Sequence, residues 1–403
     1  VLSPSALRSS LDVQPLLVEC LPEGCSKETS AFLSTGCEFA ESEGLPYRTA
    51  EALFKATANA TIWQLVIPDL TGLTLGEHYR LCTDLDGSPN SSGTLYPAGD
   101  TGHHVFIAPL GPSLPPASVL RALSGQVLLA RCLASPCRDL AKNGGQAFLA
   151  AASDSCDTAG EAEQVTAPGL LENWPGSLKG TLWQLSVDGR SLSPGRFYKL
   201  CIDVDGHASV VLRWGDSLVS VFVSPLQEAG LTVPPQPGQQ LTLNCTGTSC
   251  VSGLQQCSGY LMAHVPEDSQ QLSCHRATLV EALASGAVPV VLAAAGSRKV
   301  TASFDARLLV AGTHYSLCVT PPGGPRLGEP EAGRSGTKVS VFVTGFTSAT
   351  AALQPAGGLG LRPLPLQRLA VTCPAWSNCS SSSEVYITST AGVVQAGLGE
   401  RAC

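Results

Sequence analysis

The stretch PGRFYKLCIDVDG, residues 194–206, decides the fold because the chain writes it three times. LGEHYRLCTDLDG begins at residue 75 and AGTHYSLCVTPPG at residue 311. With Cys82, Cys201 and Cys318 aligned, Gly76, Gly195 and Gly312 fall six residues earlier and Tyr79, Tyr198 and Tyr315 three earlier. Leu81, Leu200 and Leu317 directly precede the cysteines. The remaining cysteines follow the same rhythm: Cys20, Cys25, Cys37 and Cys82, then Cys132, Cys137, Cys156 and Cys201. A third set is Cys245, Cys250, Cys274 and Cys318, with Cys257 as an extra; Cys373, Cys379 and Cys403 form the last. Successive sets start 112 to 128 residues apart, a period of domain size.

Each full unit closes on an apolar stretch: HHVFIAP from residue 103, LVSVFVSP from 218, KVSVFVTG from 338. Pro- and Gly-rich segments come next (LGPSLPPAS, PLQEAGLTVPPQPG, GFTSATAALQPAGG), which read as linkers or first edge strands. The organisation expected is therefore three full units, 1–110, 111–225 and 226–345, and an incomplete fourth, 346–403, that lacks the Gly–Tyr–Leu–Cys block. Half a module with open edges predicts that the array continues beyond residue 403. The opening VLSPSALRSS carries neither an initiator Met nor a signal-peptide pattern, so a processed or partial chain is expected.

The units read as all-β. Trp183, Leu185 and Val187 alternate with Gln184, Ser186 and Asp188; SLSPG breaks the run, and Tyr198, Leu200, Ile202 and Val204 alternate again. A Leu, a Pro-Gly turn and a Tyr opening a strand resemble the corner between strands E and F in immunoglobulin and fibronectin type III domains. That resemblance covers some thirty residues per unit. It implies tandem Ig-like/FnIII-like β-sandwiches with intradomain disulfides. Tyr79, Tyr198 and Tyr315 become corner tyrosines bonded to backbone upstream, with Leu73, Leu192 and Leu309 buried ahead of each turn.

Bulk properties narrow the function. Charged residues are 14% of the 403-residue chain and the formal charge is −8, which argues against nucleic acid. No run of about eighteen uncharged apolar residues predicts a spanning helix. Sixteen cysteines without a C-x2-C pair, and seven scattered histidines, favour disulfides in an oxidising compartment over zinc. Asn59, Asn90, Asn244 and Asn378 each open an N-glycosylation triplet. An extracellular or cell-surface glycoprotein is expected.

Strand phase bears on the pairing. If Tyr198, Leu200 and Ile202 face the core, Cys201 faces away, whereas Cys245 in QLTLNC points inward with Leu241 and Leu243. A bridge through the core between first and fourth cysteines then needs a bulge. The near-constant gaps favour Cys20–Cys25 with Cys37–Cys82, repeated in later units; the nested Cys20–Cys82 with Cys25–Cys37 remains open. Cys257 has no counterpart and is read as an inter-unit or inter-chain bridge.

Candidate chemistry is sparse. Gly215-Asp216-Ser217-Leu218 matches the nucleophile block of GDSL-type esterases, but GDTG (99–102) and GRSG (333–336) stand at the corresponding place in the other units, so it reads as a turn and no catalytic residue is assigned. Asp84, Asp86 and Asp100 in unit one, and Asp203, Asp205 and Asp216 in unit two, could converge on Ca²⁺, while unit three carries Thr320, Pro322 and Arg334. The competing reading is a strand that ends in an Asp-Gly turn. Asp69, Asp188 and Asp305, thirteen residues before their cysteines, read as turn caps. The function expected is a non-enzymatic structural repeat protein of a glycosylated filament or surface coat that associates with itself or with neighbouring repeats. Such arrays resemble those of flagellar hairs and similar extracellular fibres. The alternative is an adhesin or receptor ectodomain that binds a carbohydrate or protein partner, with Ca²⁺.

Overall fold

A computed structural model describes residues 2–3, 5–8, 15–21, 24–37, 47–85, 98–111, 119–132, 144–152, 154, 156, 166–174, 182–204, 214–227, 229–246, 258–263, 274, 286–320, 335–344, 348–351 and 369–372. Apart from single-turn 3-10 segments the regular secondary structure of the described residues is all strand. The first module holds β1 (Leu2–Ser3), β2 (Ala6–Arg8), β3 (Pro15–Glu19), β4 (Ser30–Ser34), β5 (Ala52–Ala56), β6 (Ile62–Val66), β7 (His78–Asp84) and β8 (Gly99–Ala108). The second holds β9 (Val119–Arg121), β10 (Gln126–Arg131), β11 (Gln146–Ala151), β12 (Gly169–Asn173), β13 (Leu182–Val187), β14 (Phe197–Asp203) and β15 (Gly215–Ser224). The third holds β16 (Ala229–Val233), β17 (Gln239–Asn244), β18 (Ser258–Ala263), β19 (Val288–Gly296), β20 (Lys299–Phe304), β21 (His314–Thr320) and β22 (Ser335–Val343). A last antiparallel pair, β23 (Ser348–Ala351) and β24 (Leu369–Thr372), forms a two-stranded sheet among the described residues.

Among the described residues each module forms one curled, barrel-like sheet, of eight strands in the first and of seven in each of the next two. The curl comes from a strand that changes partner along its length. β12 bonds to β11 through Gly169 and Leu170, then to β13 from Leu171 onward. β5 makes the same switch between Leu53 and Phe54, and β19 between Val290 and Val291. The first edge strand adds in parallel to the closing strand: β2 on β8, β9 on β15, β16 on β22. Every other connection is antiparallel, as hairpin-rich sheets require.

Period-two patterning places the core. Trp183, Leu185 and Val187 on β13 are buried beside Leu128 and Ala130 of β10 and Tyr198, Leu200 and Ile202 of β14. Fully burying one such large side chain contributes about 1.5–3 kcal/mol. The opposite face of β14 is covered as well. Cys201 points away from this core but is buried in a smaller cluster with Phe148, Ala150 and Cys156, against which Trp214 packs. Phe32, Cys37 and Cys82 form its counterpart in the first module, and Tyr260, Met262, Cys274 and Cys318 in the third. Phase alone gave these cysteines an outward direction; packing against the side chains of these smaller clusters is what removes them from water.

The segments after the closing strands are not linkers where they are described. Leu110 and Leu226 are buried and bridge directly to Cys132 and Cys245 of the following module. The amide of Gly111 donates to the Arg131 carbonyl at 2.7 Å, and that of Gln227 to the Asn244 carbonyl at 2.8 Å. The chain passes from the last ladder of one module into the first pairing of the next, with no free residue between.

Candidate functional site at the module junctions

The corner motif has the same geometry three times. The hydroxyl of Tyr79 accepts from the Thr74 amide at 2.7 Å, that of Tyr198 from Ser193 at 2.8 Å and that of Tyr315 from Val310 at 2.8 Å. Gly76, Gly195 and Gly312 turn at φ of +82, +80 and +80°, a region costly for residues with a Cβ. Their amides donate to Ile107, Val223 and Val343 at 2.7 Å each, which fixes the corner to the closing strand. Leu73, Leu192 and Leu309 are buried beneath it. Asp188 and Asp305 cap the single 3-10 turns Gly189–Ser191 and Ala306–Leu308 and pair with Arg190 and Arg307, while Asp69 accepts from Thr71.

Disulfides join Cys20 to Cys25, Cys37 to Cys82, Cys156 to Cys201 and Cys274 to Cys318. Cys132 and Cys245 are also disulfide-bonded. Cys137, Cys250, Cys257, Cys373, Cys379 and Cys403 lie outside the described residues, as do Asn90 and Asn378. Asn59 and Asn244 are exposed, the first in the β5–β6 turn and the second at the end of β17.

The GDSL serine is part of a β-bulge. Pairing between β14 and β15 skips a residue between Lys199 and Cys201, which interrupts the ladder at Leu200. The Ser217 hydroxyl donates to the Leu200 carbonyl at 2.7 Å, and the following residue, Leu218, turns at φ +59°. Thr101 donates likewise to Leu81 at 2.7 Å ahead of Gly102 (φ +73°), and Thr337 to Leu317 at 3.0 Å ahead of Lys338 (φ +59°). The register thus aligns Ser217 with Thr337, not Ser335, and corrects the sequence alignment on GRSG.

The same correction bears on the aspartates. Asp100 and Asp216 stand opposite Cys82 and Cys201, and the residue opposite Cys318 is Gly336 rather than Arg334. Asp100 forms an ion pair with Arg80, and Asp216 lies 3.9 Å from Lys199; the equivalent residue on β21 is Ser316. The acid and its basic partner are therefore lost together in the third module, a pattern that a cross-strand pair accounts for. The Gly102 amide, then the Arg80 guanidinium, hold the Asp100 carboxyl below its usual value, whereas burial pushes that of Asp216 up against the pull of Lys199 and Arg8. Asp84 ends β7 and Asp203 is buried at the end of β14; Asp86 and Asp205 lie outside the described residues. Among the described residues no group of three or more His, Cys, Asp or Glu is placed to hold a metal.

What the three modules do share, beyond their corners, is a docking surface at the end of each closing strand. On β8, Val105 and Ile107 enter the first module's core, while Phe106 and Ala108, with Leu110 just beyond the strand, enter the second's. On β15, Val219, Val221 and Val223 stay in the second core, while Phe222, with Leu226 just beyond the strand, enters the third. The first edge strands divide in the same way: Leu7 faces its own core and Ala6 the next, Leu120 its own and Val119 the next. A signal for this existed in the sequence, because HVFIAPL and SVFVSPL are apolar on both phases, the pattern of a strand buried on both faces.

Close approach completes the first junction. The Phe106 ring lies over Gly215, where a Cβ would come within 2.2 Å of the ring carbons. His78 leans on Phe106 with ring centroids 4.9 Å apart, and its Nε2 is 3.3 Å from the Trp214 carbonyl oxygen. Gly76 abuts Val204, and the Arg8 guanidinium donates to the carbonyl of Leu218, the bulge residue. At the second junction Phe197 leans on Phe222 with centroids 5.1 Å apart, and the Ser224 hydroxyl donates across to the Thr337 carbonyl at 3.0 Å. No helix among the described residues is long and apolar enough to cross a membrane. Comparison with family models and with curated proteins finds no match to this chain.

Proposed function

We propose that the chain is a load-bearing part of a non-enzymatic extracellular structural protein, in which modules akin to Ig and fibronectin type III sandwiches stack end to end as a stiff rod. The supporting observation is the division of two closing strands, β8 and β15, each between two cores. Domains joined by a flexible linker and a small polar contact move independently, whereas an apolar seat continuous with both cores does not permit it. Stability in such an array becomes a sum of module terms and nearest-neighbour terms, as in other repeat proteins. Disulfides inside each module suit an oxidising exterior, and the exposed Asn59 and Asn244 triplets suit glycans on the rod's surface.

Lateral contact is supported by a second repeated feature. Leu53, Leu170 and Val291 each precede a core residue, Phe54, Leu171 and Leu292, beside the partner switch and are 57, 57 and 68% exposed. An apolar residue held outward at the same place in every module gives parallel rods a matching set of contacts. The reading is filament or coat rather than catalyst, and the partner is another copy or neighbouring repeats of the same assembly.

Electron microscopy of the protein isolated from its native source tests this. Straight rods with a regular axial repeat, bundled or tiled, are expected. Beads joined by variable angles would overturn the stiff-rod reading, and single stalks rooted in a membrane would favour an ectodomain that binds a partner.

A further inference from the structure

The third module presents the same seat, uncovered. His314 leans on Phe342 with ring centroids 4.7 Å apart, the counterpart of His78 on Phe106 and Phe197 on Phe222. Register confirms the equivalence, since His314 pairs with Phe342 across β21 and β22 as His78 does with Phe106 across β7 and β8. Phe106 and Phe222 are 1% and 2% exposed because the next module covers them; Phe342 is only partly buried and His314 is exposed.

The strands just C-terminal to β22 indicate the occupant. In the first module β1 pairs antiparallel with β3, Leu2 opposite Val18, two residues before Cys20. β23 pairs in the same sense with β24, Ala349 opposite Val371, two residues before Cys373. This is the opening ribbon of a module of the same build. What covers Phe106 is Gly215 at the start of β15, 109 residues on, and the equivalent residue for Phe222 is Ser335, 113 residues on.

We propose that the His314–Phe342 face is the seat of a fourth module opened by β23 and β24. The seat differs from the first in one respect. Pro234 follows Val233 where Arg8 and Arg121 follow Leu7 and Leu120, so this junction has no Arg8-type latch and rests on the aromatic pair and on main-chain acceptance from His314. The inference rests on the stacked-rod reading and names the partner of its free end.

Carbethoxylation of histidines by diethyl pyrocarbonate, read by peptide mass spectrometry, tests it. The 403-residue chain is compared with the protein isolated from its native source. His104, exposed on β8, is the reactive control, and His78, engaged by Trp214, the protected one. In the 403-residue chain His314 is expected to react at the rate of His104. In the native protein it is expected to be slowed about tenfold or more, as covered surface is. Equal reactivity of His314 in both would overturn the proposal. So would protection that appears in the 403-residue chain only as its concentration rises, which would make the occupant a second copy. Regular rods by microscopy with a reactive His314 would leave the array standing and remove this junction alone.

Discussion

Replacing Phe106, Phe222 and Phe342 by alanine, one at a time in the same chain, separates junction burial from strand stability. The three rings occupy one position on equivalent strands and lean on equivalent partners, so local propensity and sheet pairing cancel between them. Phe106 and Phe222 are buried against a second module, and truncating a core phenylalanine costs about 3–5 kcal/mol. Phe342 is partly wet, so truncation loses part of the transfer free energy and leaves no sealed cavity, a cost of about 1–2 kcal/mol. The expected gap is about 2 kcal/mol, or roughly thirtyfold in the opening equilibrium. Native-state hydrogen exchange, resolved to peptides from each closing strand, reads that gap module by module. Phe106→Ala should also lower protection on β13 and β14, which belong to the following module but share its core. Equal costs at all three positions would refute the argument, as would a Phe106→Ala effect confined to the first module.

Three further expectations concern the modules themselves. Tyr198→Phe removes the acceptor for the buried-side amide of Ser193 and should cost about 1–3 kcal/mol, with Ser193 exchange accelerated; an unchanged exchange rate would mean the corner is held by packing alone. Cys37 and Cys82 close a separation of 45 residues and Cys20 and Cys25 one of 5, so loop-closure entropy makes replacement of the first pair by alanine cost about 4 kcal/mol and of the second about 2, checked by denaturant titration. Asp100 and Asp216, at one repeat position, should respond to acid in opposite directions. The lowered Asp100 carboxyl contributes stability that is present above its ordinary 3.8 and lost as pH falls through its folded value, so Asp100→Asn and the parent converge in acid. The raised Asp216 carboxyl contributes stability present below 3.8 and lost as pH rises through its folded value, so melting temperatures of Asp216→Asn and the parent diverge above it.

Much of a single module was legible along the chain. Alternation at Trp183, Leu185 and Val187, and again at Tyr198, Leu200 and Ile202, reports one buried face directly, because a strand's side chains have period two. The corner tyrosines were legible because a φ > 0 glycine and a phenol at fixed spacing leave little else for the hydroxyl to bond. The bulge was not. Sixteen residues separate Cys201 from Ser217 and nineteen separate Cys318 from Thr337, so aligning on GDSL and GRSG misplaced the third module by two residues. Only the ladder register identifies Ser217, Thr101 and Thr337 as hydroxyls that fill an interrupted carbonyl. Cys201 shows the same limit: phase turned it away from the main core, and only the packing of Phe148, Ala150, Cys156 and Trp214 around it made that second face dry.

By itself the sequence determined the all-β modules, their period and their corners, since these depend on contacts within a few tens of residues and on backbone geometry that each residue type allows or forbids. The tertiary structure alone decided where Phe106, Ala108 and Leu110 are buried, and hence that the modules are joined rather than merely strung together. An apolar residue in a strand states that it will leave water, not which surface will receive it. The receiving surface, Gly215 and the bulge carbonyl of Leu218, lies more than a hundred residues away and exists only once the second sheet has closed.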